Sequence, residues 1–132
     1  MSKIEFLQPD RLSNPGGYSH VVSVEASTLI FISGQVAYNE NFELVGEEDL
    51  ASQTRQVMEN LKLALGAAGA SFEDVIKFTI FVVDYCPEVR DRIIAIRDEF
   101  INTARPPAST LLGVQSLARP ELLIEIEAVA AI

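Results

Sequence analysis

The stretch PPASTLLGVQSLARPELLIEIEAVA, residues 106–130, predicts two β-strands joined by a turn. Its second half alternates strictly, so side chains at every other position share one face of the strand. One face carries the apolar residues Ile124, Ile126, Ala128 and Ala130. The other face carries Leu123, Glu125, Glu127 and Val129. Two carboxylates therefore share one side of an otherwise apolar strand, which is typical either of a solvated edge or of a functional site.

Length and charge limit the kind of protein to which these strands belong. The 132 residues fit one domain, spanning 1–132, which can bury roughly two-thirds of its unfolded surface. The formal charge of -9 repels phosphate backbones and anionic membranes, so neither nucleic acid nor a membrane is an expected partner. The single cysteine, Cys86, cannot form an internal disulfide, and no apolar run of signal-peptide length is present at the N-terminus. We therefore expect a cytoplasmic protein.

Apolar periodicity in the rest of the chain predicts four more strands and two helices. The predicted strands span residues 3–7, 18–24, 28–36 and 74–83. The predicted helices span residues 50–68 and a segment after Pro87 whose apolar stripe is Val89, Ile93, Ile96 and Phe100. Because only a short polar segment separates the second and third strands, they are expected to form a hairpin. The predicted order is βββαβαββ.

This order favours an α+β fold with a six-stranded mixed sheet and two helices on one face. The strand at 75–83 is apolar on both faces, with Phe78 and Ile80 on one side and Phe81 and Val83 on the other. The strand at 28–36 is likewise apolar on both faces. Since two helices cover only one side of a sheet, we expect another copy of the chain to cover the other side.

Few residue types suited to catalysis are present. One histidine and one cysteine cannot supply the usual ligands of a metal site, and no nucleotide-binding motif occurs, so we expect no metal and no cofactor. Ser19 and His20 are strand neighbours that point to opposite faces, which does not suit a nucleophile and its base. Glu125 and Glu127 have a spacing that an inverting glycosidase could use, but no tryptophan offers a sugar platform. A solvated or ion-paired strand face is the alternative, especially for Glu127.

Several features, in order, resemble the Rid family, also called the YjgF family. They are Tyr18, the Ser33-Gly34-Gln35 turn, the spacing of Gln53 from Asn60-Leu61, the strand DVIKFTIFVVD and the sequence IEIEA. The resemblance covers nearly the whole chain. It implies a chorismate-mutase-like α+β fold, a homotrimeric barrel built from the strand-rich faces, and small-molecule ligand clefts between subunits.

The resemblance also implies a chemistry, because RidA members are hydrolytic deaminases of reactive 2-imino and enamino acids. By this resemblance Tyr18 lines the cleft, Glu125 positions water, and the backbone near Ser33, Gly34 or Ser109 contacts the substrate. The arginine that clamps the substrate carboxylate in RidA is missing, since an ungapped count from Asp84 places Ser109 at its position. A hydroxyl group cannot replace a bidentate guanidinium, so we expect weak activity on 2-imino acids.

Two alternatives remain open at the position of the missing arginine. Either Arg92 or Arg105 replaces the clamp from another direction, or both are solvent-facing charges on a helix and a loop. Two functions also remain open. The first is a hydrolytic deaminase of small imines or enamines, and the second is a non-enzymatic trimer that binds a small metabolite. Ribonuclease activity, which has been attached to this family, is disfavoured by the acidic charge.

Overall fold

The fold is known from a computed structural model that describes residues 3–132. It confirms the predicted order of six strands and two helices. The strands are β1 Lys3–Leu7, β2 Val21–Glu25, β3 Leu29–Gln35, β4 Val75–Val83, β5 Ala108–Val114 and β6 Ile124–Ala131. The helices are α1 Leu50–Ala67 and α2 Pro87–Arg97. Pro87 occupies the first turn of α2, where its missing N–H costs nothing.

The six strands form two sheets, so the expected single six-stranded sheet is wrong. One sheet is the antiparallel pair β1-β2, and the other has the order β3-β6-β4-β5, in which only β4 and β5 run parallel. An isolated bridge between Ser19 and Ala108 joins the loop before β2 to β5, and there the amide of Ser19 donates to the carbonyl of Pro107 at 3.1 Å. Pro106 and Pro107 have no N–H to donate, so the ladder cannot continue along this edge.

The predicted hairpin between β2 and β3 is also wrong. β2 pairs with β1, whereas β3 pairs with β6 in a register that sets Leu29 opposite Ala131. The connection crosses between the two sheets and is held by the C-terminus, since the amides of Ser27 and Thr28 both donate to the carbonyl of Ile132, at 3.1 and 2.9 Å. β5 and β6 are not neighbours either, because β4 lies between them.

The core lies between the two helices and one face of the four-stranded sheet. α1 contributes Val57, Met58, Leu61 and Leu65, all fully buried. The alternation of β6 is confirmed, since the side chains of Ile124, Ile126, Ala128 and Ala130 are buried in this core. Phe78, Ile80 and Val82 of β4 lie beside them. In the described part of the chain, no helix is long and apolar enough to cross a membrane.

No helix of the described residues packs on the other face of the four-stranded sheet. This surface, here called the open face, displays Phe31, Ser33, Lys77, Thr79, Leu112, Glu125, Glu127 and Val129. Phe31 is 75% exposed and Leu29, at the end of the same strand, is 53% exposed. Exposed apolar groups clustered on one sheet face are typical of an interaction surface.

Gln53 and Asn60, the two polar residues of the helix motif, tie α1 to the ends of the strands. The fully buried amide of Gln53 donates to the carbonyls of Gly46 and Glu121, both at 3.0 Å, and accepts from the amide of Leu123 at 2.9 Å. The amide of Asn60 donates to the carbonyls of Val36 and Tyr38, both at 2.9 Å. The motif is therefore structural, and it fixes where β6 begins.

The Gln53 network yields a stability prediction. We expect Gln53→Ala to lower the free energy of unfolding by about 3 kcal/mol, because three backbone groups lose their partner in a buried place. The measurement is urea unfolding followed by circular dichroism. Gln115→Ala, on an exposed loop, is the control and should change that free energy by less than about 0.5 kcal/mol. Equal effects of the two substitutions would contradict the structural role of Gln53.

Candidate functional site

Glu125 lies on the open face of β6, against β3. An irregularity in the β3-β6 register between Ile32 and Gln35 brings Gly34 directly beside it. A Cβ atom on Gly34 would lie 2.6 Å from Cδ and 2.8 Å from Cγ of Glu125. These distances are shorter than real Cβ contacts, so only glycine lets the carboxylate lie across β3. The structure thus brings together two of the predicted site residues, Gly34 and Glu125.

The environment of Glu125 disfavours its negative charge. Burial raises the pKa of Glu125 above the ordinary value for a glutamate, and the neighbouring charge of Glu127 raises it further. No side chain or backbone group within residues 3–132 donates a hydrogen bond to this carboxylate. A carboxyl group with a raised pKa holds its proton to higher pH than a surface glutamate does, which suits proton transfer to and from a bound molecule.

Ser33 lies on the same face as Glu125. It lines a shallow groove of about 280 Å³ whose walls include Phe31, Lys77, Thr79 and Glu127. Lys77 is engaged in this groove, where its Nζ donates to the hydroxyl of Thr110 at 2.6 Å. The groove on the open face is therefore lined by both polar and apolar side chains.

Tyr18 and Ser109 lie together in a second cavity, on the helix side of the sheet. This cavity has a volume of about 80 Å³ and is enclosed by β5, α2 and the loop before β2. Its walls include Tyr18, Ser109, Leu111, Arg90, Ile94 and Arg97. The hydroxyl groups of Tyr18 and Ser109 make no hydrogen bond to any residue between 3 and 132. We call this space the helix-side cavity.

Within one chain, Glu125 and the helix-side cavity lie on opposite faces of the sheet. Ser109 on β5 is paired with Phe78 on β4, whose side chain is in the core. Glu125 on β6 is paired with Phe81 on β4, whose side chain is on the open face. Residues paired across a sheet point to the same side. One copy therefore does not unite the site residues that the sequence predicts.

The two arginines considered from the sequence do not line the helix-side cavity. Arg92 is exposed on α2. The guanidinium of Arg105 lies 4.8 Å from the ring centroid of Phe6 and 3.5 Å from the carbonyl of Ile4, so it holds β1. Arg90 and Arg97 line the cavity instead. The signal in the sequence is that Arg97 falls four residues after Ile93, on the buried stripe of α2.

Ser19 and His20 lie before β2, outside any strand, so the predicted strand at 18–24 begins too early, and their side chains bind other groups. The hydroxyl of Ser19 donates to the carbonyl of Pro106 at 2.6 Å. A ring nitrogen of His20 lies 2.6 Å from the carbonyl of Ser13. Both side chains anchor the loop that ends at Tyr18.

The fold makes this a small α+β protein. Its candidate site residues lie on both sides of the four-stranded sheet, with Glu125 on the open face and Ser109 in the helix-side cavity. The sequence model of the family described as Endoribonuclease L-PSP matches residues 9–132. The chain belongs to this family, which includes the Rid proteins. The resemblance read from the sequence is thereby confirmed.

Three relatives illustrate how close this membership is. One is YyfB from Yersinia pestis, a Rid family protein of unknown function with a crystal structure. Its sequence is 43% identical to this chain, the match covers 98% of each of the two chains, and the structures superpose with a TM-score of 0.92. Protein DfrA of Myxococcus xanthus is 35% identical over 115 residues, which are 87% of this chain and 85% of that protein. The 3-aminoacrylate deaminase RutC of Acinetobacter baylyi is 34% identical over 113 residues, 84% of this chain and 85% of the relative.

Proposed function

We propose that this protein is a hydrolytic deaminase of small imines or enamines, acting in clefts between copies of the chain. The observation that carries the proposal is the carboxyl group of Glu125, which lies on Gly34 with its pKa raised by burial. A relative with deaminase chemistry, the 3-aminoacrylate deaminase RutC, supports the choice of substrate class.

Glu125 can serve both proton transfers that the reaction needs. An enamine first becomes an imine by gaining a proton on carbon and losing one from nitrogen. Water then adds to the carbon of the C=N bond while the carboxylate takes one water proton and gives it to the nitrogen, which leaves a carbinolamine. The carboxylate next takes the proton of the new hydroxyl group and gives it to the amine, so that the C=O bond forms as the C–N bond breaks and ammonia leaves. The products are a carbonyl compound and ammonia, so atoms balance with water as the only co-reactant. A carboxyl group whose pKa lies above the ordinary value is better matched to both steps than a solvated one.

A second copy of the chain is part of the proposal, because the sheet exposes the apolar side chains of Leu29 and Phe31 on its open face and one chain separates the site residues. We propose a homotrimer in which the strand-rich open faces pack together. We propose that the clefts form at the edges of the packed faces, where the Glu125 side of one copy meets the edge strand β5 of the next, which carries Ser109 beside Tyr18. Isolated, the helix-side cavity of about 80 Å³ is smaller than a typical ligand site, which occupies roughly 300 Å³ or more.

The decisive experiment measures ammonia release from 2-aminoacrylate and 3-aminoacrylate generated in situ, with the native chain and with buffer alone. We expect the native chain to accelerate release from at least one of them. Ser109→Arg restores the RidA pattern and should increase the rate with 2-aminoacrylate. A native chain without effect on either compound would count against the deaminase.

A non-enzymatic trimer that binds a small metabolite is the second candidate. The observation in its favour is that the donors of the helix-side cavity and the carboxyl group of Glu125 lie on opposite faces of one chain. Ligand binding without ammonia release would favour this candidate. The description of the family names an endoribonuclease, but a net charge of -9 favours a small ligand over RNA.

The pKa of Glu125 gives a prediction for the pH profile. Because the carboxylate form must accept a proton from water, kcat/KM should fall as the pH falls through the raised pKa of Glu125. The charge of Glu127 raises this pKa, so Glu127→Gln should move the acidic limb to lower pH. The measurement is kcat/KM between pH 4 and pH 8. A shift to higher pH would contradict the electrostatic coupling of the two glutamates.

A further inference from the structure

The carboxyl group of Glu125 lies beside an irregular point of the sheet. Between Ile32 and Gln35 the register changes, because β3 advances three residues where β6 advances two. The extra residue of β3 makes a β-bulge, a distortion that re-aims side chains and is common next to functional sites. Gly34, which leaves room for the Glu125 carboxyl group, falls inside the bulge. The position of Glu125 therefore depends on how the two strands are held on each side of it.

The backbone ladder holds the two sides of the bulge unequally. Before the bulge, four consecutive residues of β3, from Leu29 to Ile32, are paired with β6. After it, Gln35 is paired with Ile126, and β3 ends at Gln35. The end of a ladder opens locally at a low cost in free energy. Beyond the bulge, the two segments therefore depend on side chains to stay together.

Tyr38 and Glu121 join the two segments at this place. Tyr38 lies three residues after the end of β3, and Glu121 lies three residues before the start of β6. The hydroxyl group of Tyr38 donates to a carboxylate oxygen of Glu121 at 2.5 Å. A hydrogen bond to an ionised acceptor is roughly twice as strong as one between neutral groups. We call this contact the Tyr38–Glu121 link.

Helix α1 anchors both residues of the link through their main chains. The carbonyl of Tyr38 accepts from the side-chain amide of Asn60 at 2.9 Å. The carbonyl of Glu121 accepts from the side-chain amide of Gln53 at 3.0 Å. Because both backbones are fixed to one helix, the two side chains meet with little conformational freedom left to lose. The link is therefore pre-organised.

The ring of Phe42 lies over Tyr38. The two rings stack with their centroids 4.5 Å apart, and the guanidinium of Arg119 lies 5.3 Å from the centroid of the Phe42 ring. Phe42 has a φ of 59°, a left-handed conformation that is costly for a bulky side chain. Its ring is nevertheless 63% exposed. A strained backbone that holds an exposed ring on Tyr38 indicates that the place of this tyrosine matters.

The charges at the link keep it intact while Glu125 titrates. The hydrogen bond from Tyr38 lowers the pKa of Glu121, and the positive charge of Arg119 lowers it further. Burial and the charge of Glu127 raise the pKa of Glu125. As the pH falls, Glu125 therefore takes up its proton before Glu121 does, so the link still has its ionised acceptor.

We propose that Tyr38 is a positioning residue for Glu125, because its bond to Glu121 keeps the end of β3 on β6 and so keeps Gly34 beside the carboxyl group. The inference rests on the proposed function, since Glu125 is the group that the reaction uses. Loss of the link should act through the surroundings of Glu125. A carboxyl group that moves away from Gly34 becomes better solvated, so its pKa should return towards the ordinary value.

The test is a ¹³C NMR titration of the native chain and of Tyr38→Phe, both labelled at the glutamate carboxyl groups. The signal of Glu125 is assigned from its absence in Glu125→Gln. We expect the pKa of Glu125 to fall by about half a pH unit or more in Tyr38→Phe. We also expect kcat/KM for ammonia release to fall about 10-fold, since a small displacement of a reacting group costs this much.

Three further variants separate the link from a general effect of substitution. Glu121→Ala should change the pKa and the rate as Tyr38→Phe does, and the double variant should be no worse than the more affected single one. Glu121→Gln retains an acceptor oxygen and should lie between the native chain and Glu121→Ala. Tyr85→Phe removes the same hydroxyl group from an exposed tyrosine and is the matched control, which should change neither quantity.

An unchanged pKa of Glu125 in a folded Tyr38→Phe chain, or effects of the two single substitutions that add in the double variant, would overturn the proposal. If Tyr38→Phe does not fold, Glu121→Ala is judged by the same pKa criterion. A lowered pKa in a chain that releases no ammonia supports the link and refutes the deaminase. Ammonia release with a native rate and a native pKa in Tyr38→Phe does the reverse.

Discussion

Glu125→Gln is expected to lower kcat/KM for ammonia release at least about 100-fold, because glutamine can neither accept a proton from water nor return one to the amine. The substitution keeps size and shape, so the oligomer and the folded structure should be unchanged. The measurement compares the initial rate of ammonia release from the enamine that the native chain prefers. Glu47→Gln, an exposed loop glutamate, is the control and should retain the native rate.

Gly34→Ala tests whether the position of the carboxyl group, and not only its presence, matters. The added Cβ would fall on the Glu125 side chain, which is flexible and can move, so the fold should persist while the carboxyl group is displaced. A loss of activity close to that of Glu125→Gln is expected. Activity within threefold of the native rate in both variants would show that Glu125 is structural and that the proposed reaction does not use it.

The sequence predicts those parts of the fold that depend on local periodicity. The strict alternation of β6 places Ile124 and Ile126 in the core and Glu125 on the other side, because the period of a strand is a local property. The pairing of strands is not local. β3 pairs with β6, with Leu29 opposite Ala131, and the short polar segment after β2 contains no information about a partner a hundred residues away.

The candidate site also has parts that the sequence predicts and parts that depend on long-range contacts. The resemblance predicts Gly34 and Glu125, which the structure brings into contact. Arg97 carries a weak local signal, an arginine on the apolar stripe of α2, but its buried position depends on a hydrogen bond to the carbonyl of Gly17, 80 residues away. The separation of Ser109 from Glu125 also follows from the register of three strands. None of these long-range relations can be obtained from spacing along the chain.

Phe31→Glu is expected to convert the protein to monomers. Phe31, on the edge strand β3, is 75% exposed on the open face, and packing of two such faces would bury an unpaired carboxylate at a cost of several kcal/mol. Light scattering should give a mass near 14.5 kDa for this variant and three times that mass for the native chain. Leu63→Glu, at a helix residue that is 74% exposed, is the matched control and should leave the oligomer intact.

The activity of the Phe31→Glu monomer decides where the site is completed. Glu125, Gly34 and the helix-side cavity all remain in each chain, and circular dichroism should show an unchanged fold. Because Glu125 and Ser109 point to opposite faces of the sheet, a monomer cannot bring both to one ligand, so ammonia release should be lost with the oligomer. A monomer that retains the native rate would place the whole reaction on the Glu125 side and remove the helix-side cavity from catalysis.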